Sequence, residues 1–245
     1  AHAEDVVEMH DDPASVVKTR KESSMVVGLR MLADGQGDAF VSAGSTGALL
    51  SAATLIVKRV RGIRRAAMGP LIPTKTGGRT VLIDCGANAE CTPEFLLQFA
   101  FMGSYYAQRT LAVERPRVAL LNIGAEDTKG GSLQKQTYAL LQRANDAGYI
   151  NFAGNIEARD VPLGGADVVV ADGFSGNVLL KGIEGTALFM ASLVKKIFMK
   201  NIFTKLAGLV CKQGIAELKG MLDYRETGGT LLLGITKPVV KAHGS

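Results

Sequence analysis

Tryptophan is absent from the chain, and its three cysteines and three histidines are too few and too scattered for most metal or disulfide chemistry. Cys85, Cys91 and Cys211 form no C-x-x-C pair, and their odd number predicts reduced thiols in a cytosolic protein rather than a disulfide framework. His2, His10 and His243 lie near the two ends, so neither a zinc cluster nor a Ser-His-Asp triad is legible. No apolar run approaches the roughly 20 residues that cross a bilayer. Residues 1–12 are acidic and hold no hydrophobic stretch, so no leader is expected among them. Nothing is therefore expected to span a membrane.

Glycine is plentiful where proline is scarce: 29 against 7, with 47% hydrophobic and 21% charged residues. That balance excludes disorder and favours an α/β protein whose strands end in tight glycine turns. Five short apolar runs recur, at 38–42, 80–84, 117–123, 150–154 and 167–171, each followed by glycine or small polar residues. Helices are expected at about 46–60, 92–109, 132–147 and 176–200, with one more at about 13–34 ahead of the first run. Near-continuous apolar strands need helices on both faces, which predicts a three-layer α/β/α sandwich around a mostly parallel, Rossmann-like sheet. One domain over residues 1–245 is expected, with an excursion at about 186–222.

In such sheets ligands bind beyond the carboxyl ends of the strands. Those ends read S-A-G-S-T-G at 42–47, D-C-G-A-N at 84–88, N-I-G-A-E-D at 122–127, G-N-I-E-A-R-D at 154–160 and D-G-F-S-G-N at 172–177. Gly44, Ser45, Thr46 and Gly47 suit an anion cradle of backbone N–H groups and hydroxyls, though taken alone the segment reads more readily as a glycine turn with Ser45 or Thr46 capping a helix. Asp172, Ser175 and Asn177, with Lys181 one turn on, offer a second anion contact or a second capped turn. Asn88 could donate to an oxyanion, while Asp84 is expected to cap or orient. Cys85 reads as a small buried hydrophobe, since no histidine is within sequence reach to activate it. Asn155 and Glu157 are candidate site residues; Glu126, Asp127 and Lys129 read as solvated or bracing.

From 186 to 219 there are six lysines and one acid, a local excess as large as the net charge of +5. Phe189, Leu193, Ile197 and Met190, Val194, Phe198 recur every four residues, a wide apolar stripe. Ile202, Phe203, Leu206, Leu209 and Val210 follow between Lys200, Lys205 and Lys212. A lysine-framed apolar helix can lie on an anionic membrane surface. A helical hairpin that pairs two copies of the chain is the other reading, and both can hold. Arg59, Arg61, Arg64 and Arg65 cluster without interleaved aromatics, which suits an acidic protein partner better than nucleic acid, or simple solvation.

Taken together the motifs resemble the PlsX family, the acyl carrier protein–dependent phosphate acyltransferases of bacterial phospholipid synthesis. The likeness runs through S-S-M at 23–25, S-A-G-S-T-G-A-L at 42–49, D-C-G-A-N at 84–88, N-I-G-A-E-D-T-K-G at 122–130, K-Q-T at 135–137, N-F-A-G-N-I-E-A-R-D at 151–160, A-D-V-V-V-A-D-G-F-S-G-N-V at 166–178 and K-P-V-V-K-A-H-G at 237–244. Eight motifs in order are specific where each alone is not. The resemblance implies an isocitrate/isopropylmalate dehydrogenase-like fold with a protruding helical hairpin. Two departures stand out. The family usually has asparagine at the position of Ser45, and its members begin with a strand and a D-A-M-G-G-D segment not found here, so the chain is expected to be N-terminally incomplete.

The resemblance also implies direct attack of inorganic phosphate on an acyl carrier protein thioester, with no cofactor, no metal and no covalent enzyme intermediate. Phosphate holding then falls to Gly44, Ser45, Thr46, Gly47 and Ser175, and catalysis to Asn88, Asn155, Asn177 and Lys181, supported by Asp84, Glu157 and Asp172. It implies a homodimer, peripheral association with the inner face of the cell membrane, carrier-protein contact through the arginine cluster, and product hand-over to a membrane-bound glycerol-3-phosphate acyltransferase. Two rivals remain. A nucleotide-dependent dehydrogenase or kinase would want G-x-G-x-x-G with a distant acid, or a Walker motif, and neither occurs. A non-catalytic membrane adaptor would release no acyl phosphate.

Overall fold

The computed structural model describes residues 2–222 and 229–242; the end of the last motif, from His243, lies outside them. Its centre is a five-stranded sheet in the order β3-β4-β7-β5-β6, built from β3 (Leu71–Pro73), β4 (Arg79–Ile83), β5 (Arg117–Asn122), β6 (Asn151–Glu157) and β7 (Val168–Val170). All neighbours pair in parallel except β3 with β4.

The alternation of buried residues explains the layers. Val81 and Ile83, Val118 and Leu120, Val168 and Val170 point to one face, where α4 (Pro93–Thr110) and α5 (Ser132–Asp146) cover them with Phe99, Leu96 and Leu141. The residues between them, Leu82, Ala119 and Val169, meet Leu179, Leu180 and Ile183 of α6 (Gly173–Phe198) on the other face. Both faces are dry, so each strand reads as an unbroken apolar run.

The run at 38–42 belongs elsewhere. It forms β1 (Phe40–Ser42) of a second, four-stranded sheet, β1-β9-β8-β2, with β2 (Ala67–Met68), β8 (Thr230–Leu233) and β9 (Val239–Lys241). That sheet shares a core with α2 (Ser24–Ala33) and α3 (Thr46–Ile56), in which Leu29, Leu49, Val239 and Leu232 are buried. Gly69 and Pro70 join the two sheets, the Gly69 N–H donating to the Leu231 carbonyl and the Pro70 carbonyl accepting from Leu82 N–H.

Two helix boundaries differ from expectation. The helix anticipated over 13–34 breaks into α1 (Val16–Thr19) and α2, because Ser23 turns extended and its hydroxyl accepts the Val26 N–H as an N-cap. The excursion comprises the end of α6, then α7 (Ile202–Val210) and α8 (Lys212–Leu222). By length and composition α6 could cross a bilayer, contrary to the expectation that no segment could. Glycines and the Lys181–Glu184 pair interrupt its apolar pattern in the sequence, and its first turns are committed to the sheet.

Candidate active site

Where β4 ends, Asp84 is fully buried and gathers four donors. Its Oδ1 accepts the N–H of Met68 at 2.8 Å and of Cys85 at 2.7 Å, and its Oδ2 accepts the N–H of Asn88 at 2.6 Å and the Asn88 side-chain amide at 3.0 Å. Met68 lies in β2, so one carboxylate ties the two sheets together. Burial pushes this carboxyl above the usual range, against the hydrogen bonds from Met68, Asn88 and Cys85.

Asn88 uses its second amide hydrogen on the Ala66 carbonyl at 2.8 Å. Both hydrogens are thus engaged inside the protein. In this arrangement Asn88 holds the loop in shape, and it has no amide hydrogen left for the oxyanion contact suggested by sequence.

The start of α6 sits directly on this loop. Gly173 N–H donates to the Asn88 carbonyl and Gly86 N–H to the Gly173 carbonyl, at 2.8 and 2.9 Å. A β-carbon at Gly173 would lie 2.5 Å from the Asn88 carbonyl oxygen, so only glycine lets the helix come this near. Asp172 caps the helix, accepting the Ser175 N–H and hydroxyl, each at 2.8 Å. The Ser175 proton is directed at Asp172, which leaves its oxygen to accept rather than donate.

Asn177 is exposed above Gly86, whose φ of +90° admits the turn. One turn further, Lys181 Nζ donates to Glu184 Oε2 at 2.7 Å. Glu184 is buried, and its Oε1 has no partner among the described residues.

The 42–47 loop opens α3 with Ser45 as N-cap, its hydroxyl accepting the Ala48 N–H at 3.5 Å and the Ser42 hydroxyl accepting the Gly44 N–H at 3.2 Å. The first-turn N–H groups of Thr46 and Gly47 have no helical carbonyl to meet, which is the property an anion site needs. Lys241 of β9, paired in register with Ser42, reaches this loop. Its Nζ donates to the carbonyls of Ala43 and Ala242, at 3.4 and 2.6 Å. Burial, and then the charge of Lys181, bring this ammonium below its ordinary value.

Asp84, Asn88, Asp172, Ser175, Asn177 and Lys181 are therefore neighbours, while the 42–47 loop follows β1 in the second sheet, where Lys241 reaches it. Asn155 and Glu157 are not among these neighbours. They lie within β6, the strand continuing past Gly154 through a bulge where a loop was expected. β6 is three strands from β4, roughly 14 Å at ordinary spacing. The Asn155 amide donates to the Glu126 carbonyl at 2.7 Å and Glu157 pairs with Arg159 at 3.2 Å, so both brace local loops. Sequence reasoning passed over Glu184 and Lys241. The i+3 spacing of Glu184 from Lys181 was a usable signal; for Lys241 the contact with Ala43, 198 residues away, left no trace in local spacing.

Both cysteines near the loop are poor nucleophiles. Burial first, then the Asp84 carboxylate, push the Cys85 thiol up to about 12, and burial takes Cys91 to about 12. Arg59, Arg61, Arg64 and Arg65 are all exposed between α3 and β2, with Arg65 stacked 5.5 Å over the Phe95 ring.

The family model described as "Fatty acid synthesis protein" matches residues 1–245. The chain is 48% identical over 244 residues to a phosphate acyltransferase of Listeria innocua and 45% identical to one of Caldanaerobacter subterraneus, covering all of this chain and 72% of each relative. Among solved structures, a phosphotransacetylase from Streptococcus pyogenes superposes with a TM-score of 0.58 at 18% identity, over 98% of this chain and 71% of that one. At that identity the likeness is one of fold.

Proposed function

The chain belongs to the fatty acid synthesis protein family, and from that membership we propose that it is an acyltransferase that moves an acyl group from an acyl carrier protein thioester to inorganic phosphate. A phosphate oxygen attacks the thioester carbonyl, the carbon–sulfur bond breaks as the tetrahedral intermediate collapses, and acyl phosphate leaves together with the carrier thiolate, which takes up a proton. Phosphate is already an anionic nucleophile, so the protein has mainly to hold it and to stabilise the oxyanion.

One observation carries this reading: α6 brings Asn177 and Lys181 to the turn that follows β4, with Asn177 against Gly86 and beside thiols held protonated. Gly44, Ser45, Thr46 and Gly47 would grip phosphate, and Ser175 would accept a hydrogen bond from a protonated phosphate oxygen. Asn177 and Lys181 would meet the carbonyl oxygen and the transferred group. Asp84, Asn88 and Asp172 would hold the 84–88 loop and the start of α6 in shape. Incubation with palmitoyl carrier protein and phosphate, followed by hydroxylamine trapping of acyl phosphate, tests the reading; a fatty hydroxamate that forms only with both substrates is expected, and none would overturn it.

The finer reading has the exposed arginines at 59, 61, 64 and 65 meeting the acidic carrier protein. α7 rests on the inner leaflet through Ile202, Phe203, Leu206, Leu209 and Val210, all more than half exposed. The helices at 186–222 pair two copies of the chain in the cytoplasm, and the acyl phosphate passes to a membrane-bound glycerol-3-phosphate acyltransferase. The amphiphilic character of the product supports this placement at a membrane.

A further inference from the structure

A crevice of about 530 Å³ opens between α4 and the second sheet. Sites for small organic ligands are of this size, about 300–1,000 Å³. Ile63 ahead of β2, Phe101 and Met102 of α4, and Leu231 and Ile235 in and just after β8 form its walls. It lies away from the turn that follows β4. α4 starts at Pro93, five residues after Asn88, and Phe101 to Arg109 lie eight to sixteen residues further on, roughly 12–24 Å along the axis.

The polar side chains in its lining are already engaged with the protein. The Thr236 hydroxyl donates to the Val57 carbonyl at 2.7 Å, the Tyr106 hydroxyl pairs with the Thr110 side chain, and Lys237 Nζ donates to the carbonyls of Leu32 and Ala33 at 2.7 and 3.1 Å. Among the described residues, the buried side-chain atoms left without a partner belong to Thr137, Asn155 and Glu184, and none of these lines the crevice. A polar ligand body would therefore leave its own groups unpaired there, whereas a hydrocarbon chain has none to satisfy. The charge at the edge is of one sign. Arg109 is exposed, its guanidinium 5.3 Å over the Tyr105 ring, and no acid among the described residues lines the crevice. An apolar slot edged by that planar fork is complementary to an unbranched chain ending in a carboxylate, which a guanidinium can grip through two parallel hydrogen bonds.

We propose that this crevice binds a free long-chain fatty acid, with the chain laid between α4 and β8 and the carboxylate at Arg109. The inference goes beyond the acyl transfer reading and uses none of the groups assigned to that reaction.

The test is calorimetric titration of the full chain with decanoate, dodecanoate and tetradecanoate, each below its micelle concentration. Saturable binding is expected, tightening about tenfold for every two methylenes added. Arg109→Glu, shown to be folded by thermal melting, should weaken dodecanoate binding about tenfold or more, as loss of a charge-assisted contact does. Location is read separately. The chain has no tryptophan, so Phe101→Trp puts a single indole in the wall of the crevice. Dodecanoate brominated at its chain end should quench that indole, and plain dodecanoate should not. The proposal is overturned by absence of saturable binding, by an affinity that Arg109→Glu leaves unchanged, or by binding without quenching. Dodecyltrimethylammonium or dodecyl phosphate binding as tightly as dodecanoate overturns it too, since the site would then not select a carboxylate. Failure of the chain to form acyl phosphate would sink the acyl transfer reading alone, because these titrations involve neither phosphate nor carrier protein.

Discussion

Gly176 lies flush against the main-chain carbonyl of Asp84, so close that a β-carbon on residue 176 would overlap the oxygen. Together with Gly173, three residues earlier, it gives α6 a smooth edge on which the 84–88 loop is moulded. Gly176→Ala is expected to destabilise the protein by about 1–3 kcal/mol or more, through a forced backbone shift. Gly182, in the same helix, has nothing near a β-carbon, and Gly182→Ala is expected to stabilise by up to about 1 kcal/mol. Urea melts of both variants check this; effects of the same sign would refute the close approach.

Asp84 should leave a mark on stability against pH. Its carboxyl is pushed above the ordinary 3.8 by burial, so the folded state holds that proton more tightly than the unfolded chain. The contribution is present in full below 3.8 and is lost as pH rises through the raised value, so this group makes stability fall across that window. Asp84→Asn should flatten that part of the curve. At neutral pH it should also cost about 1–3 kcal/mol, because an amide nitrogen would face N–H donors. Melting temperatures from pH 3 to 8 are the measurement, and parallel curves would be the contrary result.

Asn177 and Asn88 should separate function from stability. Asn177→Ala is expected to lower kcat about 10²–10³-fold with little change in melting, as loss of an oxyanion donor does. Asn88→Ala breaks the contacts to Asp84 and Ala66, and should lower stability by about 1–3 kcal/mol. The reverse pattern would exchange their roles.

Thiol labelling should single out Cys211, the exposed cysteine. With thiols raised to about 12, Cys85 and Cys91 hold at pH 8 about 10³ times less thiolate than an ordinary cysteine. Mass spectrometry after iodoacetamide should find modification at residue 211 first, and Cys85→Ala should keep its turnover. Rapid labelling of Cys85 would reopen a covalent route.

Liposome flotation tests α7. Leu206→Glu with Leu209→Glu places two charges on its exposed apolar surface, and binding to anionic vesicles should fall about tenfold or more. Unchanged flotation would take α7 out of the membrane contact.

Much of the central sheet was readable locally. Val81, Leu82 and Ile83, or Val168, Val169 and Val170, are apolar without alternation because helices cover both faces, and that pattern survives in the sequence. The glycines after the strands marked the turns at the strand ends for a local reason too: a turn with φ near +90°, as at Gly86, excludes most other residues. β2, β3, β8 and β9 were missed because strands of two to four residues hold no periodicity. The 154–160 segment was misplaced because a glycine that makes a bulge looks like one that ends a strand.

What the sequence settled alone is whatever depends on neighbours a few residues apart: the alternation of strand and helix, and the placing of Asn177 and Lys181 one turn apart at the start of a helix. What only the tertiary structure decided is where remote groups meet. Asp84 spends its oxygens on Met68 and Asn88, and Lys241 meets the Ala43 carbonyl at the end of the neighbouring strand, 198 residues away in the chain. Hydrogen bonds and charges act through space over a few ångströms, and no spacing along the chain encodes which distant partner will be there.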